Sequence, residues 1–217
     1  HILHVWNVCM ESKLFAKSSR GKGVFVAKTA KISGSVLLSD GVKVMDYAVI
    51  HGPCYIGENT VIGTGSLVRG SHIGDRCVIG YNSEVARSYV GDDCWFHTNY
   101  VGDSVIGNNV AFGSGTVTGN LRLDEETVKV AVEKTWGGKK SVENADTGLK
   151  KLGAIIGDDV RVGVNTSLMP GVKVGSGSFV GAGLVIAEDI PEGSFARGEW
   201  KLKISKNMKR IEKRNMV

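Results

Sequence analysis

Between Val26 and Ile186 the chain repeats itself about every six residues. Apolar side chains fall at Val26, Ile32, Leu38, Val44, Ile50, Ile56, Ile62 and Val68 in unbroken steps of six. The count slips by one to Ile73, then continues through Ile79 and Val85. It slips again to Val90, runs on to Phe96, and takes short steps to Val101 and Ile106. Phe112 follows, and a last short step reaches Val117; after a gap the pattern resumes at Ile156, Val162, Leu168, Val174, Val180 and Ile186. A period of six over this length cannot be an amphipathic helix, whose period is 3.6. It suits short flat strands wound into a coil, with one apolar residue pointing inward on each face and glycine or asparagine at the corners. Stacked coils bury one continuous core, each strand pairing with the coils on either side about 4.8 Å away. Small or β-branched residues recur four places after the apolar one, as Ala30, Cys54, Thr60, Ser66, Cys77 and Thr166. Glycine is 30 of 217 residues and proline 3, so the corners are made by glycine. The expected class is all-β, a parallel β-helix of hexapeptide repeats.

Two segments break the pattern. Residues 119–154 carry no hexads and many charges, and loops of that length are usually functional. Residues 199–217 hold seven Lys/Arg against two Asp/Glu, which accounts for the whole net charge of +5. The body is therefore neutral and offers no basic face for nucleic acid. Trp200, Ile204, Met208 and Ile211 lie at near-helical spacing in this basic tail, which predicts a C-terminal helix or a loosely held tail over 191–217. No apolar run is long enough to span a membrane. Cys54, Cys77 and Cys94 occupy small inward or corner places and read as buried structural thiols, while Cys9 stands outside the repeat. Without CxxC spacing in a chain this size, a reducing cytoplasm fits best.

Hexads of this kind resemble the left-handed parallel β-helix of acyltransferases. One stretch is more specific: "HTNYVGDSVIGNNVAFGSGTVTGN", residues 97–120. It resembles the acetyltransferase segment of the bifunctional glucosamine-1-phosphate acetyltransferase / N-acetylglucosamine-1-phosphate uridyltransferases, and the following "NLRLDEETVKV" is more similar to the archaeal version of that family. The likeness covers about residues 20–195. It implies a β-helix acetyltransferase domain at 19–190. Residues 1–18 would be a connector from an N-terminal nucleotidyltransferase domain that this sequence lacks, since "HVWNVCMES" resembles the end of such a domain. The resemblance makes His97 the catalytic base, with Asn120 beside the sugar and the acetyl group. Tyr100 becomes a sugar contact, Arg69 and Arg87 phosphate contacts, and Lys129 a substrate contact from the insert. Ser114 and Ala182 would line the acetyl-CoA path. Ala111 stands where bacterial members carry an asparagine. Lys201 and Lys203, opening the basic tail, are candidates for the CoA phosphates. A homotrimer with its sites between subunits is implied, with acetyl-CoA as co-substrate and no metal needed for the transfer.

The chemistry agrees with these residue types. An amine that attacks a thioester must lose a proton, which a histidine can take. The thioester oxygen gains charge, which backbone N–H groups of a Gly113–Ser114–Gly115 turn can receive. A sugar phosphate is a dianion and calls for Arg or Lys. Each residue also has a plainer reading: His97 as a solvated corner histidine, Tyr100 as packing, Arg69 as a corner charge. The combination, together with the resemblance, favours the catalytic reading, and the resemblance makes glucosamine-1-phosphate the default acceptor with galactosamine-1-phosphate as the alternative. Two other classes stand beside this one. A zinc site built on His72 and His97 lacks a third histidine. A non-catalytic oligomerisation or regulatory module would need none of the His97, Tyr100, Asn120 set.

Overall fold

The structure, a computed structural model, describes residues 18–136, 139–199, 201, 203–206 and 208. Three parallel sheets run along it, and consecutive strands of the chain belong to successive sheets. The first face runs from Ser19–Arg20 to Lys173–Val174 with eight strands, the second from Phe25–Val26 to Phe195–Ala196 with nine, and the third from Lys31–Ser33 to Val185–Ile186 with eight. The chain is thus a solenoid of eight complete coils and the start of a ninth, the parallel β-helix that the hexads predict. No helix occurs among the described residues, and in particular none long and apolar enough to cross a membrane.

Register explains the repeat. Ile56, Ile73, Val90, Ile106 and Ile156 stack in one row of the first face. Ile62, Ile79, Phe96, Phe112 and Val162 do so on the second, and Ile50, Val68, Val85 and Val101 on the third. Apart from Ile156 and Val162, which are nearly so, these side chains are fully shielded from solvent. The predicted row fails at one point. The inward residue of the sixth coil's third face is Thr118, not Val117. Val117 pairs with Tyr100 on the outward row, whereas Thr118 is fully buried. The step from Phe112 is therefore six. An apolar-only rule misses it because the Thr118 hydroxyl is satisfied in the core, accepting from the Gly102 N–H at 2.9 Å and from the Ser104 hydroxyl at 3.2 Å.

The remaining slips are corners that have lost a residue. At the junction of the third and first faces, the three short steps after Val68, Val85 and Val101 place Gly70, Arg87 and Asp103 in left-handed backbone, with φ of 57°, 49° and 49°. Ser71, Ser88 and Ser104 follow them and form a buried ladder. Each hydroxyl accepts the N–H of the next coil, Ser88 onto Ser71 at 3.1 Å and Ser104 onto Ser88 at 3.0 Å. At the junction of the first and second faces, Asp, Asn and Ser side chains cap the coil before them in the same way. Asp92, for example, accepts the Asp75 N–H at 2.9 Å. Glycine is required beside this ladder: a Cβ on Gly74 would stand 2.4 Å from the Asp92 carboxylate.

The segment without hexads leaves and re-enters at the third-to-first corner. It contains an antiparallel hairpin, Lys129–Trp136 against Lys139–Asp146, in full register. The sequence carries the signal in "VKVAV", which alternates, and in Gly137–Gly138, a two-residue separation that marks hairpins. Neither signal belongs to a period of six. Val128 and Leu152 at its base are buried and pack with Tyr89, Val105 and Val130. In the tail, Ile204 and Met208 are exposed and lie outside regular structure. The connector assigned to residues 1–18 lies outside the described residues except for Ser18, as do Cys9, Trp200 and Ile211.

Cys54, Cys77 and Cys94 are buried and unbridged. On the first face, His72 is stacked between Tyr55 and Tyr89, with ring centroids at 4.9 and 4.5 Å. Burial there holds the imidazole below its ordinary pKa. A histidine kept neutral by folding makes the native state bind fewer protons than the unfolded chain. Stability should therefore fall as pH drops below the unfolded value of ~6.5, and the loss should level off once the folded histidine is also protonated. In His72→Phe, which keeps the ring stack, thermal melts at pH 7 and pH 5 should lie closer together than those of the parent protein. An unchanged gap would show that His72 does not carry the acid sensitivity.

Candidate active site

The corner between the second and third faces has four residues in most coils, for example Gly80–Ser83, Gly113–Thr116, Gly163–Thr166 and Gly181–Leu184. Its third residue is left-handed in Tyr47, Gly65, Asn82, Gly115, Asn165 and Gly183. One corner differs. His97, Thr98 and Asn99 span it alone, one residue short and without a left-handed member. His97 takes the place that glycine holds at 63, 80, 113, 163 and 181. That place is tight elsewhere: a Cβ on Gly80 would meet the Phe96 carbonyl oxygen at 2.4 Å.

Asn99 holds this short corner together. It is 5% exposed, and its side chain supplies the bonds that the missing residue does not. Its Oδ1 accepts the His97 N–H at 2.6 Å, and its Nδ2 donates to the carbonyls of Gly113 at 2.8 Å and Thr116 at 3.0 Å. Its own N–H donates to the Ser83 hydroxyl at 3.1 Å, and that hydroxyl in turn donates to the His97 carbonyl. The imidazole stands exposed beside the Trp95 ring, with centroids 6.1 Å apart. Sequence reading overlooked Asn99. The signal was the single-residue slip from Phe96 to Val101.

Ser114 and Ala182 lie on the same corner. Backbone bonds step up it, from Gly115 N–H to Thr98, from Asn165 N–H to Ser114 and from Gly183 N–H to Val164. Ala182 is thus three coils above Thr98, roughly 14 Å along the axis. In the Gly113–Ser114–Gly115 turn, the N–H groups of Gly113 and Gly115 are already spent on the Val162 and Thr98 carbonyls. The Ser114 N–H is the one left without a backbone partner among the described residues. Above Gly181 the chain crosses the corner once more. The Gly181 N–H donates to the Ala196 carbonyl at 2.8 Å, and exposed Arg197 follows it, a cation on this column that sequence reading did not pick out.

A second group lies along the third face. Tyr100 opens the strand directly after the short corner, and its hydroxyl accepts from Asn120 Nδ2 at 3.1 Å. Asn120 Nδ2 also donates to the Asp103 carboxylate. Arg87, leaving the same corner one coil away, forks onto Asp103 through Nε and Nη2, both at 2.6 Å. This pairing raises the Arg87 pKa further above its ordinary value. Arg69, one coil below Arg87, forks onto Glu84 Oε1 at 2.9 and 2.6 Å. The two arginines thus meet carboxylates with one edge. A guanidinium has five N–H donors, so these pairs do not use all of them, and Arg87 also meets the Tyr100 side chain. Asp103 and Glu84 received no role from the sequence, although Asp103 ends the quoted His-x-x-Tyr-x-Gly-Asp run.

Lys129 begins the hairpin and lines a cleft with Asn144, Pro170, Gly171, Glu188 and Asp189. Lys201 and Lys203 are exposed and outside regular structure. His72 is on the first face, away from the His97 corner, and no group of three metal-binding side chains gathers among the described residues.

Comparison with known proteins agrees with the fold and with the resemblance to the bifunctional acetyltransferase proteins. The model for the bacterial transferase hexapeptide (six repeats) matches residues 35–70 and 153–188. The chain is 46% identical over 110 residues to "Bifunctional protein GlmU" of Methanococcus maripaludis (strain C7), covering 51% of this chain and 25% of that protein. It is also 46% identical over 99 residues to the "Bifunctional sugar-1-phosphate nucleotidylyltransferase/acetyltransferase" of Sulfurisphaera tokodaii, covering 46% of this chain and 23% of that one. The chain thus spans about a quarter of the length of these relatives. Among solved structures, the UDP-N-acetylglucosamine acyltransferase from Campylobacter jejuni superposes with a TM-score of 0.50 at 16% identity, over 76% of this chain and 68% of its own, a likeness of fold. The hexapeptide-repeat model thus matches two stretches of this chain, and the half of it that aligns with the GlmU-like bifunctional proteins fits a C-terminal acetyltransferase domain.

Proposed function

We propose that this chain is an acetyl-CoA-dependent N-acetyltransferase acting on an amino-sugar 1-phosphate, with glucosamine-1-phosphate as the default acceptor and galactosamine-1-phosphate as the alternative. The observation that carries the reading is the short corner. It sets a histidine where its neighbours keep glycine, on the column of Ser114 and directly before Tyr100, which reaches Asn120. His97 takes a proton from the acceptor amine as its nitrogen attacks the thioester carbonyl. The Ser114 N–H receives the charge that develops on the carbonyl oxygen. The C–S bond breaks, CoA leaves as thiolate, and the N-acetyl product keeps its phosphate. Arg69 and Arg87 meet that phosphate with their remaining N–H donors. Arg197, on the column above Ala182, and Lys201 and Lys203 further along the chain are the candidates for the CoA phosphates.

The reading includes a homotrimer. Phe25, Trp95, Phe179 and Phe195 leave rings exposed along the second face, and closed cyclic symmetry is a common way to cover such a face. Lys129, which lines a cleft beside the hairpin, would then serve a neighbour's site. Light scattering at micromolar concentration should give three times the chain mass; a monomer would remove both the trimer and this role for Lys129. The test of the activity is release of free CoA thiol from acetyl-CoA that depends on the amino-sugar 1-phosphate. A non-catalytic oligomerisation module would form the trimer and release none.

A further inference from the structure

Asn120 has two amide N–H groups, and the structure gives both of them partners. One is the Tyr100 hydroxyl at 3.1 Å and the other the Asp103 carboxylate. A carboxylate only accepts, so it is the nitrogen of the amide, never the oxygen, that must face Asp103. The carboxylate cannot turn away. Arg87 grips both of its oxygens, and the residue is 8% exposed. Its backbone is pinned as well, the Asp103 N–H donating to Ala86 and its carbonyl accepting from Gly153, both at 2.8 Å. The Asn120 carbonyl accepts the Leu152 N–H at 3.0 Å, which fixes the base of the side chain. Oδ1 of Asn120, on the opposite side of the amide, bonds to nothing among the described residues.

We propose that Asp103 is a positioning residue that locks the Asn120 amide with its oxygen outward, so that position 120 recognises a hydrogen-bond donor, the amine of the acceptor. This rests on the acetyl-transfer reading and decides within it. Of the two reacting groups, the thioester carbonyl has no hydrogen to give, and an outward amide oxygen would repel it. The amine has N–H bonds in every protonation state. Asn120 therefore holds the nucleophile, and the charge on the thioester oxygen is left to the backbone.

The test is an exchange of the two side chains. Asp103→Asn removes the lock, because an amide at 103 can face Asn120 with either end. Asn120→Asp alone sets two carboxylates against each other. In the double variant the new amide donates to the new carboxylate, which still turns an oxygen outward, and Arg87 keeps one of its two bonds to position 103. Each single variant should raise the KM for the amino-sugar phosphate about tenfold or more, the loss of one hydrogen bond to a charged partner, with the KM for acetyl-CoA unchanged. The double variant should regain most of that loss. A double variant no better than the singles, or a loss that falls on the KM for acetyl-CoA, would overturn the proposal. A second measurement needs neither a variant nor activity. In 15N–1H spectra of the ligand-free parent protein, the side-chain amide of Asn120 should be shifted downfield and protected from exchange. Amide protons at solvent-exposed positions would overturn the lock whether or not acetyl is transferred. A locked amide in a protein that transfers no acetyl would refute the reaction and leave the positioning intact.

Discussion

On the proposed reading, replacing His97 by alanine should lower kcat by about 10²–10⁴-fold, the usual contribution of a general base, and leave the coil folded. The imidazole is exposed, and its ring contact is a tilted approach to Trp95, so its removal uncovers no core. Its backbone bonds, the N–H to Asn99 and the carbonyl from Ser83, survive the substitution. Circular dichroism and melting temperature should therefore match the parent while turnover collapses. The pH profile separates a base from a bystander. In the parent, kcat/KM should fall toward acid pH, and in His97→Ala that limb should disappear. A variant with parental kcat would return His97 to an ordinary corner residue.

Asn99→Ala should instead strike stability first. The amide bridges His97 on its own coil to Gly113 and Thr116 on the next, in a site that water does not reach. Alanine leaves the His97 N–H and the Thr116 carbonyl without these partners, and the Gly113 carbonyl keeps only its bond from the Thr116 N–H. Buried groups left unsatisfied cost about 1–3 kcal/mol each, so a loss of roughly 2–5 kcal/mol is expected in denaturant melts. Activity should fall with it even where the protein remains folded, because the corner that aims His97 is no longer fixed. Ordinary stability together with ordinary turnover would show that the short corner holds its shape without the amide.

The fold was legible because one physical constraint acts everywhere. Each face can admit one inward side chain per strand, so burial writes a period of six into the chain, and the rows of Ile, Val and Phe follow it. Where another constraint satisfied the interior, the same rule misread it. Thr118 is buried as fully as any isoleucine because Gly102 and Ser104 bond its hydroxyl. The slips were legible as slips but not as corners, since which of three junctions loses a residue depends on the pairing between coils. That is why Asn99, Asp103 and Glu84 were silent in the sequence: each acts on a residue 14 to 17 positions away, across one coil. The hairpin was obscured for the opposite reason, its period of two being local to residues 128–132 and flanked by charges. His97, Tyr100 and Asn120 stood out through the resemblance of one stretch, and Lys129 came with them.

Acetyl transfer itself is tested by incubating the 217-residue protein with acetyl-CoA and glucosamine-1-phosphate, reading free thiol and the mass of the sugar product across pH. The geometry predicts thiol release that requires the amino sugar, one N-acetyl group per thiol, decline toward acid pH, and the loss of both rate and decline in His97→Ala. Thiol release that ignores the acceptor, or an N-acetylated product formed as fast without His97, would contradict it.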